Sequence, residues 1–412
     1  MRTNIQSPLA ETAAGAIAEA VLRACVHCGM CNAVCPTYQI TGDELDGPRG
    51  RIYLIKRALE GDAVGPVTQA HLDRCLSCRA CETACPSGVE YHRLYDVGRQ
   101  VVAQRVRRSG PERLVRAAIR AVFAHQARLA PLIAVARGLR WALPKALARR
   151  IPPRHAIGVA PAREHATQMI LLAGCVQAAA APHFNAAAAR VFDKLGVTLR
   201  EAPAAGCCGA LSAHLDAPDE ARAFARANID AWTPALDAGA QAIVVAASGC
   251  AAFIRDYPDL LADDAAYVAK ARRVAEQVRD PIEIVGAARL VAIHAPSQPR
   301  IAVHEPCTLQ NGPGVSGRIA TLLTALGYQP QPVADAHLCC GSAGAYSLLQ
   351  PDFARRLRAD KLAALNAGEP QAIYTANIGC WLHLGETSPT PVRHWIEAVD
   401  EVLGQRTRSD RP

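Results

Sequence analysis

CVHCGMCNAVCP, residues 25–36, and CLSCRACETACP, residues 75–86, are two copies of one pattern, C-x2-C-x2-C-x3-C-P. Each cysteine of the second copy lies 50 residues after its counterpart. In runs of this spacing three close thiolates hold one [4Fe–4S] cube, and the cysteine before the proline reaches the other cube. Cys25, Cys28, Cys31 and Cys85 are therefore expected at one cluster, and Cys75, Cys78, Cys81 and Cys35 at the other. Structural zinc is the competing use of C-x2-C pairs, but a closed tetrahedron of four ligands gives no reason for a doubled run. Pro36 and Pro86 lack an N–H and are expected to stop the chain from continuing helically after the bridging cysteines.

Around the runs the pattern is helical. Residues 11–24 are rich in alanine, and Arg51 to Leu59 carries apolar residues at helical spacing. An α-helical ferredoxin-type domain is expected over residues 1–105. Its start carries Glu11 and Glu19 and lacks the apolar core of a signal peptide. Sixteen cysteines in a chain of 412 residues fall into spaced sets of four, which suits metal ligation in a reducing cytosol better than a disulfide scaffold. The longest uncharged run, Ala166 to Ala189, contains Gly174, Pro182, His183 and Asn185. It reads as strand, loop and helix start, so any membrane contact is expected to be peripheral.

Composition changes after the second run. Val97 to His155 holds thirteen arginines and Lys145 against Glu112 alone, a net +13 in a chain of net +8. Residues 106–164 are expected to form a basic helical linker, broken at Pro131, Pro144, Pro152 and Pro153. One reading docks it on anionic lipid. The other leaves its arginines solvated or paired with an acidic partner subunit. Nucleic acid is a poor fit, because Phe123 and Trp141 are the segment's only aromatic residues of the stacking kind.

The rest of the chain is duplicated. Cys175, Cys207, Cys208 and Cys250 recur as Cys307, Cys339, Cys340 and Cys380, offset by 132 for the first three and 130 for the last. Two like modules are expected, over 165–298 and 299–405, facing each other across a pseudo-twofold, with a tail over 406–412. Strand candidates Met169–Ala173, Ala242–Ala246, Ile301–Val303 and Ile373–Thr375 run into the cysteines. Helices are expected over Ala186–Leu195, Glu220–Ala235 and Gly317–Leu326. Each module thus reads α/β, with thiols at the carboxyl ends of parallel strands. Adjacent cysteines on an extended chain point apart, so a Cys-Cys pair serving one site needs a turn, which the following glycine permits. A metal centre (a further Fe–S cluster or zinc) is favoured over redox-active thiols, and both over buried packing cysteines.

The C-x31-C-C-G pattern resembles the "CCG" cysteine-rich domain of heterodisulfide reductases and of several membrane-associated dehydrogenases. In the heterodisulfide enzymes the last element is C-x2-C. Phe253 and His383 stand at the matching positions here, which counts against a disulfide-reducing enzyme. Two ferredoxin runs followed by two CCG modules resemble the iron–sulfur subunits of bacterial glycolate oxidase, also called glycolate dehydrogenase, over nearly the full length. The segments that carry this are residues 24–56, 71–92, 205–210, 228–232, 247–253, 337–348, 375–384 and 392–397. The resemblance implies an α+β multidomain fold, an α-helical ferredoxin-type domain followed by a duplicated α/β cysteine-rich domain. It implies an electron-transfer subunit with two 4Fe–4S clusters, and FAD only on partner subunits that oxidise glycolate to glyoxylate. Electrons would pass to a quinone or other membrane acceptor, at the cytoplasmic face of the inner membrane. The same role with lactate or glycerol 3-phosphate is the alternative. No dinucleotide fingerprint follows a strand, so no flavin site is expected in this chain, and no catalytic acid or base is assigned.

Overall fold

The computed structural model describes residues 1–286, 299–312 and 314–409. The expected boundary between the modules at 298/299 borders residues outside this set, and residues 410–412 of the expected tail lie outside it too.

The N-terminal part is helical. Helix α1 (Ala13–Ala24) starts where the Thr12 hydroxyl accepts from the Gly15 N–H, and it buries Ala18, Val21 and Leu22 on one face. Helix α2 (Pro36–Thr41) begins at Pro36. Here the expectation from the sequence is overturned: Pro36 opens a helix, because the first helical position needs no N–H and favours the fixed φ of proline. Helix α3 (Pro48–Leu59) buries Ile52, Ile55, Ala58 and Leu59. It crosses helix α6 (Tyr91–Arg105) at Gly98, where a Cβ would come within 2.5 Å of the Ile55 side chain. Helix α4 (Pro66–Asp73) and the short helix α5 (Ala80–Thr83) lie between them in sequence.

Helices α7 (Gly110–Phe123) and α8 (Gln126–Gly138) lie in the first part of the basic linker. Each cysteine-rich module follows as a four-stranded parallel sheet. The first has the order β2-β1-β3-β4, from β1 (Thr167–Leu171), β2 (Val197–Glu201), β3 (Ile243–Val244) and β4 (Val278–Arg279). The second repeats it as β6-β5-β7-β8, from β5 (Arg300–His304), β6 (Gln329–Gln331), β7 (Ala372–Thr375) and β8 (Val392–His394). The expected helices appear as Pro182–Lys194, Pro218–Asp237 and Arg318–Ala325.

Alternation along the strands decides how the modules meet. Met169 and Leu171 point to one face of the first sheet, and join Val191 and Phe192 in a core shared with Ile301, Leu322, Trp395 and Val399 of the second. Ile170 and Leu172 point to the other face, onto Ile229, Trp232 and Ile254 of their own module. Both faces of each sheet are therefore apolar, as parallel sheets require. At the strand ends the modules also bond directly: the Ser248 N–H donates to the Ala376 carbonyl, and Thr308 Oγ1 meets Ser248 Oγ at 2.8 Å. Among the described residues no helix is long and apolar enough to cross a membrane.

Candidate metal centres

The two ferredoxin runs fold alike. His27 and Ser77, 50 residues apart, both take a left-handed backbone (φ 61° and 52°), as do Gly29 and Arg79 (φ 88° and 60°). A non-glycine residue held there stores about 1–2 kcal/mol of strain, and in each run it turns the loop that gathers three thiols. Cys25, Cys28, Cys31 and Cys85 line one cavity, with Arg49 and Ile52. Cys35, Cys75, Cys78 and Cys81 line a second, with Thr37, Arg51 and Tyr91. Each set of four that the spacing groups lines one cavity. Cys81 borders both cavities.

The donor chemistry fits a thiophilic metal. None of these cysteines is in a disulfide. Burial and the neighbouring Cys25 thiol push Cys31 up to about 11. Burial, then the Cys307 thiol, raises Cys78 well above the ordinary range. Thiols crowded this way resist ionising together unless a cation sits among them. With Cys81 counted at its own cavity, each cavity keeps four thiols, the ligand count of a cube.

The bridging Cys35 is set by a polar network that the sequence reading did not name. Thr37 Oγ1 donates to the Asp46 carbonyl at 2.7 Å, and Arg51 donates to Thr37 Oγ1 (3.1 Å), to the His71 carbonyl (2.8 Å) and towards Cys35 Sγ (4.0 Å). Asp46, fully buried, takes His71 Nδ1 and Arg74 Nη1, each at 2.8 Å. Tyr91 OH donates to Cys75 Sγ at 3.8 Å. An arginine only 1% exposed inside helix α3 is the sign of this network.

In the modules the Cys-Cys-Gly turns are as expected. Gly209 and Gly341 have φ of 91° and 87°, and each N–H donates to the first cysteine's sulfur at 3.4 Å. In the first module Cys175 and Cys207 sulfurs are 3.6 Å apart, and Cys208 adjoins Cys250. In the second, Cys307 and Cys339 are 4.0 Å apart, and Cys340 and Cys380 3.3 Å. All four thiols of each module therefore converge. His383 is not among them. Its Nε2 meets the Ala354 carbonyl at 3.2 Å. The histidine at the thiols is His304, whose ring nitrogen lies with the Cys340 and Cys380 sulfurs within 4.8 Å of one another. Lys361, 4% exposed, donates to the carbonyls of Asp335 and Ala336 beside the same thiols. Phe253 lines the cavity of Cys35, Cys75, Cys78 and Cys81.

The second module touches the ferredoxin domain through its thiols. Cys78 and Leu76 pack against Cys307, Cys339, Tyr346 and Leu357. Asn311 Nδ2 donates to the Cys78 carbonyl at 2.9 Å, and Tyr346 OH to the Arg74 carbonyl at 3.1 Å.

Three arginines of the basic segment are neither solvated nor free for a partner subunit. Arg108 binds Asp73 at 2.6 Å and Asp216 at 2.7 Å; Arg116 reaches the same two carboxylates at 3.3 Å; Arg120 binds Glu220 at 2.8 Å. The acids are the chain's own, about 100 residues along for Asp216 and Glu220. Burial works against ionising Asp216, but Arg99, Arg108 and Arg116 together hold its carboxyl below the usual range. Further along, Leu132, Val135, Leu139 and Trp141 are exposed beside Arg128, Arg140 and Lys145.

Residues 21–89 match the 4Fe-4S dicluster domain family, and residues 169–255 and 301–385 each match the cysteine-rich domain family. The chain is 48% identical to the glycolate oxidase iron-sulfur subunit of Escherichia coli, over 98% of this chain and 99% of that one. It is 29% identical to the probable glycolate oxidase iron-sulfur subunit of Bacillus subtilis, over 94% and 96%. Lactate utilization protein A of Anoxybacillus flavithermus is 26% identical over 54% of this chain and 94% of its own length. Full-length likeness, the dicluster domain and the doubled cysteine-rich domain agree: the chain belongs to the glycolate oxidase iron–sulfur subunit family and is an electron-transfer component of an oxidoreductase.

Proposed function

We propose that this chain carries electrons from the reduced flavin of partner glycolate oxidase subunits, which hold the FAD, to a quinone or another membrane acceptor. Cys25, Cys28, Cys31 and Cys85 are assigned to one 4Fe–4S cluster, and Cys35, Cys75, Cys78 and Cys81 to the other. Cys175, Cys207, Cys208 and Cys250, and Cys307, Cys339, Cys340 and Cys380, are assigned to a further metal in each module. Bound cubes supply one-electron transfer, which links a flavin that releases two electrons to a quinone that takes two. The observation that carries the reading is the contact of Cys78 with Cys307 and Cys339, which puts a cube site against a module thiol site. The chain's residues contribute spacing and charge: Arg51 and Tyr91 at the sulfurs of one site, Lys361 at the other.

Peripheral attachment to the cytoplasmic face of the inner membrane belongs to the same proposal. Its support is the exposed set Leu132, Val135, Leu139 and Trp141 among cations.

Alone, this chain is expected to leave glycolate unoxidised. Assembled with its flavin subunits, a Cys35→Ser chain is expected to keep glycolate-dependent flavin reduction and to lose delivery to an added quinone, both followed by stopped-flow absorbance. Its paramagnetic resonance should change in the cube signal of Cys75, Cys78 and Cys81. Turnover of glycolate by the isolated chain, or loss of flavin reduction in an assembled complex, would overturn the proposal. Faster flavin reduction by lactate than by glycolate would transfer it to the alternative substrate.

A further inference from the structure

The equal strand order of the two modules allows a residue-by-residue comparison at their thiol ends. Ile170 pairs with Ile243 and Leu171 with Val244 in the first sheet; Ala302 pairs with Ile373, Val303 with Tyr374 and His304 with Thr375 in the second. With the offsets of 132 and 130, Leu172 stands where His304 stands, and Val245 where Thr375 stands. Leu172 and Val245 are 2% and 1% exposed and belong to one apolar core. His304 and Thr375 are equally buried, at 3% and 0%, and hydrogen-bond to each other at 3.0 Å.

A polar pair in a place that its sister module fills with leucine and valine costs free energy on burial, and the single hydrogen bond returns only part of it. The position explains what the pair is for. His304 ends β5 three residues before Cys307, and its ring lies with the sulfurs of Cys340 and Cys380 within mutual ligand distance. Its Nδ1 is the atom bonded to Thr375. A second partner on one ring nitrogen is how ligating imidazoles are oriented, with the other nitrogen given to the metal.

We propose that His304 is a metal ligand, so that the second module holds a mixed thiolate–imidazole centre and the first a thiolate-only one. Thr375 is the positioning residue for the ring. The inference rests on the reading that the modules bind metal. Iron and zinc both accept sulfur and imidazole together, and the two modules differ in donor set whichever is bound.

The test uses the full chain, purified without oxygen, reconstituted with ferrous iron and sulfide, and in a second preparation treated with zinc. Metal in excess of the two cubes is counted, and X-ray absorption at the edge of that metal reads nitrogen against sulfur neighbours. The double variant His304→Leu/Thr375→Val rebuilds the first module's own pair, so the sheet keeps an arrangement it already tolerates. Expected are loss of the nitrogen neighbour and a fall of about half in the excess metal, with the paramagnetic signals of both cubes unchanged. Thr375→Val alone should weaken retention without abolishing the nitrogen signal. An unchanged nitrogen neighbour and metal count in the double variant would overturn the inference. So would a wild-type chain with intact cubes, no excess metal and all eight module thiols open to titration, which leaves the electron-transfer proposal standing. Absence of the cube signals themselves would instead strike the function proposed above.

Discussion

Arg51 offers the sharpest handle on the site of Cys35, Cys75, Cys78 and Cys81. Its side chain is 2% exposed, it points towards Cys35 Sγ at 4.0 Å, and its nearest carboxylate, Asp46, is 3.7 Å away and already held by Arg74 and His71. Arg51→Met removes the charge and keeps much of the volume. Coulomb's law at an effective dielectric of about 20 gives about 4 kcal/mol between unit charges roughly 4 Å apart, and about 2.4 kcal/mol at about 7 Å. An electron added to a bound cube spreads over the whole group, so the longer distance is the better guide. At about 59 mV per tenfold change for one electron, 2.4 kcal/mol corresponds to about 100 mV. The guanidinium favours the reduced, more negative state, so Arg51→Met should lower the potential of this cube by about 100 mV and leave the Cys25 cube nearly unmoved. Redox titration followed by electron paramagnetic resonance resolves the two. Arg51→Lys keeps the charge without the fork that reaches Thr37 and the His71 carbonyl; it should keep most of the potential while loosening the Cys35 turn. Equal shifts in the Lys and Met variants would refute the electrostatic reasoning, and an unshifted Met variant would refute the assignment of Arg51 to this site.

Asp216→Asn should destabilise the full chain by about 3–5 kcal/mol in urea unfolding, because it strips the shared carboxylate from the largely buried Arg99, Arg108 and Arg116. His394 and His383 are buried, which lowers both pKa values to about 4. A depressed folded pKa gives stability that is complete above the unfolded value near 6.5 and lost as pH falls. Each should cost roughly 2 kcal/mol by pH 5, seen as a falling urea midpoint between pH 7 and 5. Trp141→Asp with Leu139→Asp should release the chain from anionic vesicles at fixed salt with its fold intact. Arg116→Glu with Arg120→Glu should lower thermal stability, since those arginines face Asp73, Asp216 and Glu220; unchanged vesicle binding in the first pair would remove the lipid reading.

The cysteine positions were legible because ligand geometry fixes spacing. A cube needs three thiols from one tight loop, and a duplicated module repeats its offsets. Strands such as Met169–Ala173 were legible as short apolar runs, since a parallel sheet buries both faces. The partners of the arginines were not legible. Asp73 and Asp216 are ordinary acids until the fold brings residues 43 and 100 positions apart together around Arg116. Charge counting sees only that the linker is positive, and cannot tell a solvated face from a clamp. His304 escaped for a different reason. A histidine three residues before a cysteine carries no spacing signal, and only strand register shows that it replaces a leucine. His383 stands where a fifth thiol would, yet the short helix Ile378–Gly385 turns it away from the thiols to the Ala354 carbonyl.

Duplication left the modules with one topology and two kinds of contact to the ferredoxin domain. The first module meets it mainly with acids: Asp216 takes Arg99, Asp256 takes Arg79, and Asp259 takes Arg93 at 2.7 Å. Phe253, at the position where a five-thiol module would carry cysteine, fills the wall of the Cys35 cavity. The second module meets the same domain with its thiols, through Cys78 against Cys307 and Cys339, and carries His304 and Lys361 beside them. Ionic contacts of the first kind orient two bodies and are costly to break once buried, but they provide no redox group. The second kind brings donor atoms of two centres into one apolar cluster. The physical division follows: the first module braces the ferredoxin domain with buried ion pairs, and the second sets Cys307 and Cys339 against Cys78. The linker sets the position of the loop that follows Asp73, because Arg108 and Arg116 tie Asp73, two residues before Cys75, to Asp216. Under the electron-transfer proposal, a linker charge remote from any acceptor therefore acts through the position of the Cys75 loop.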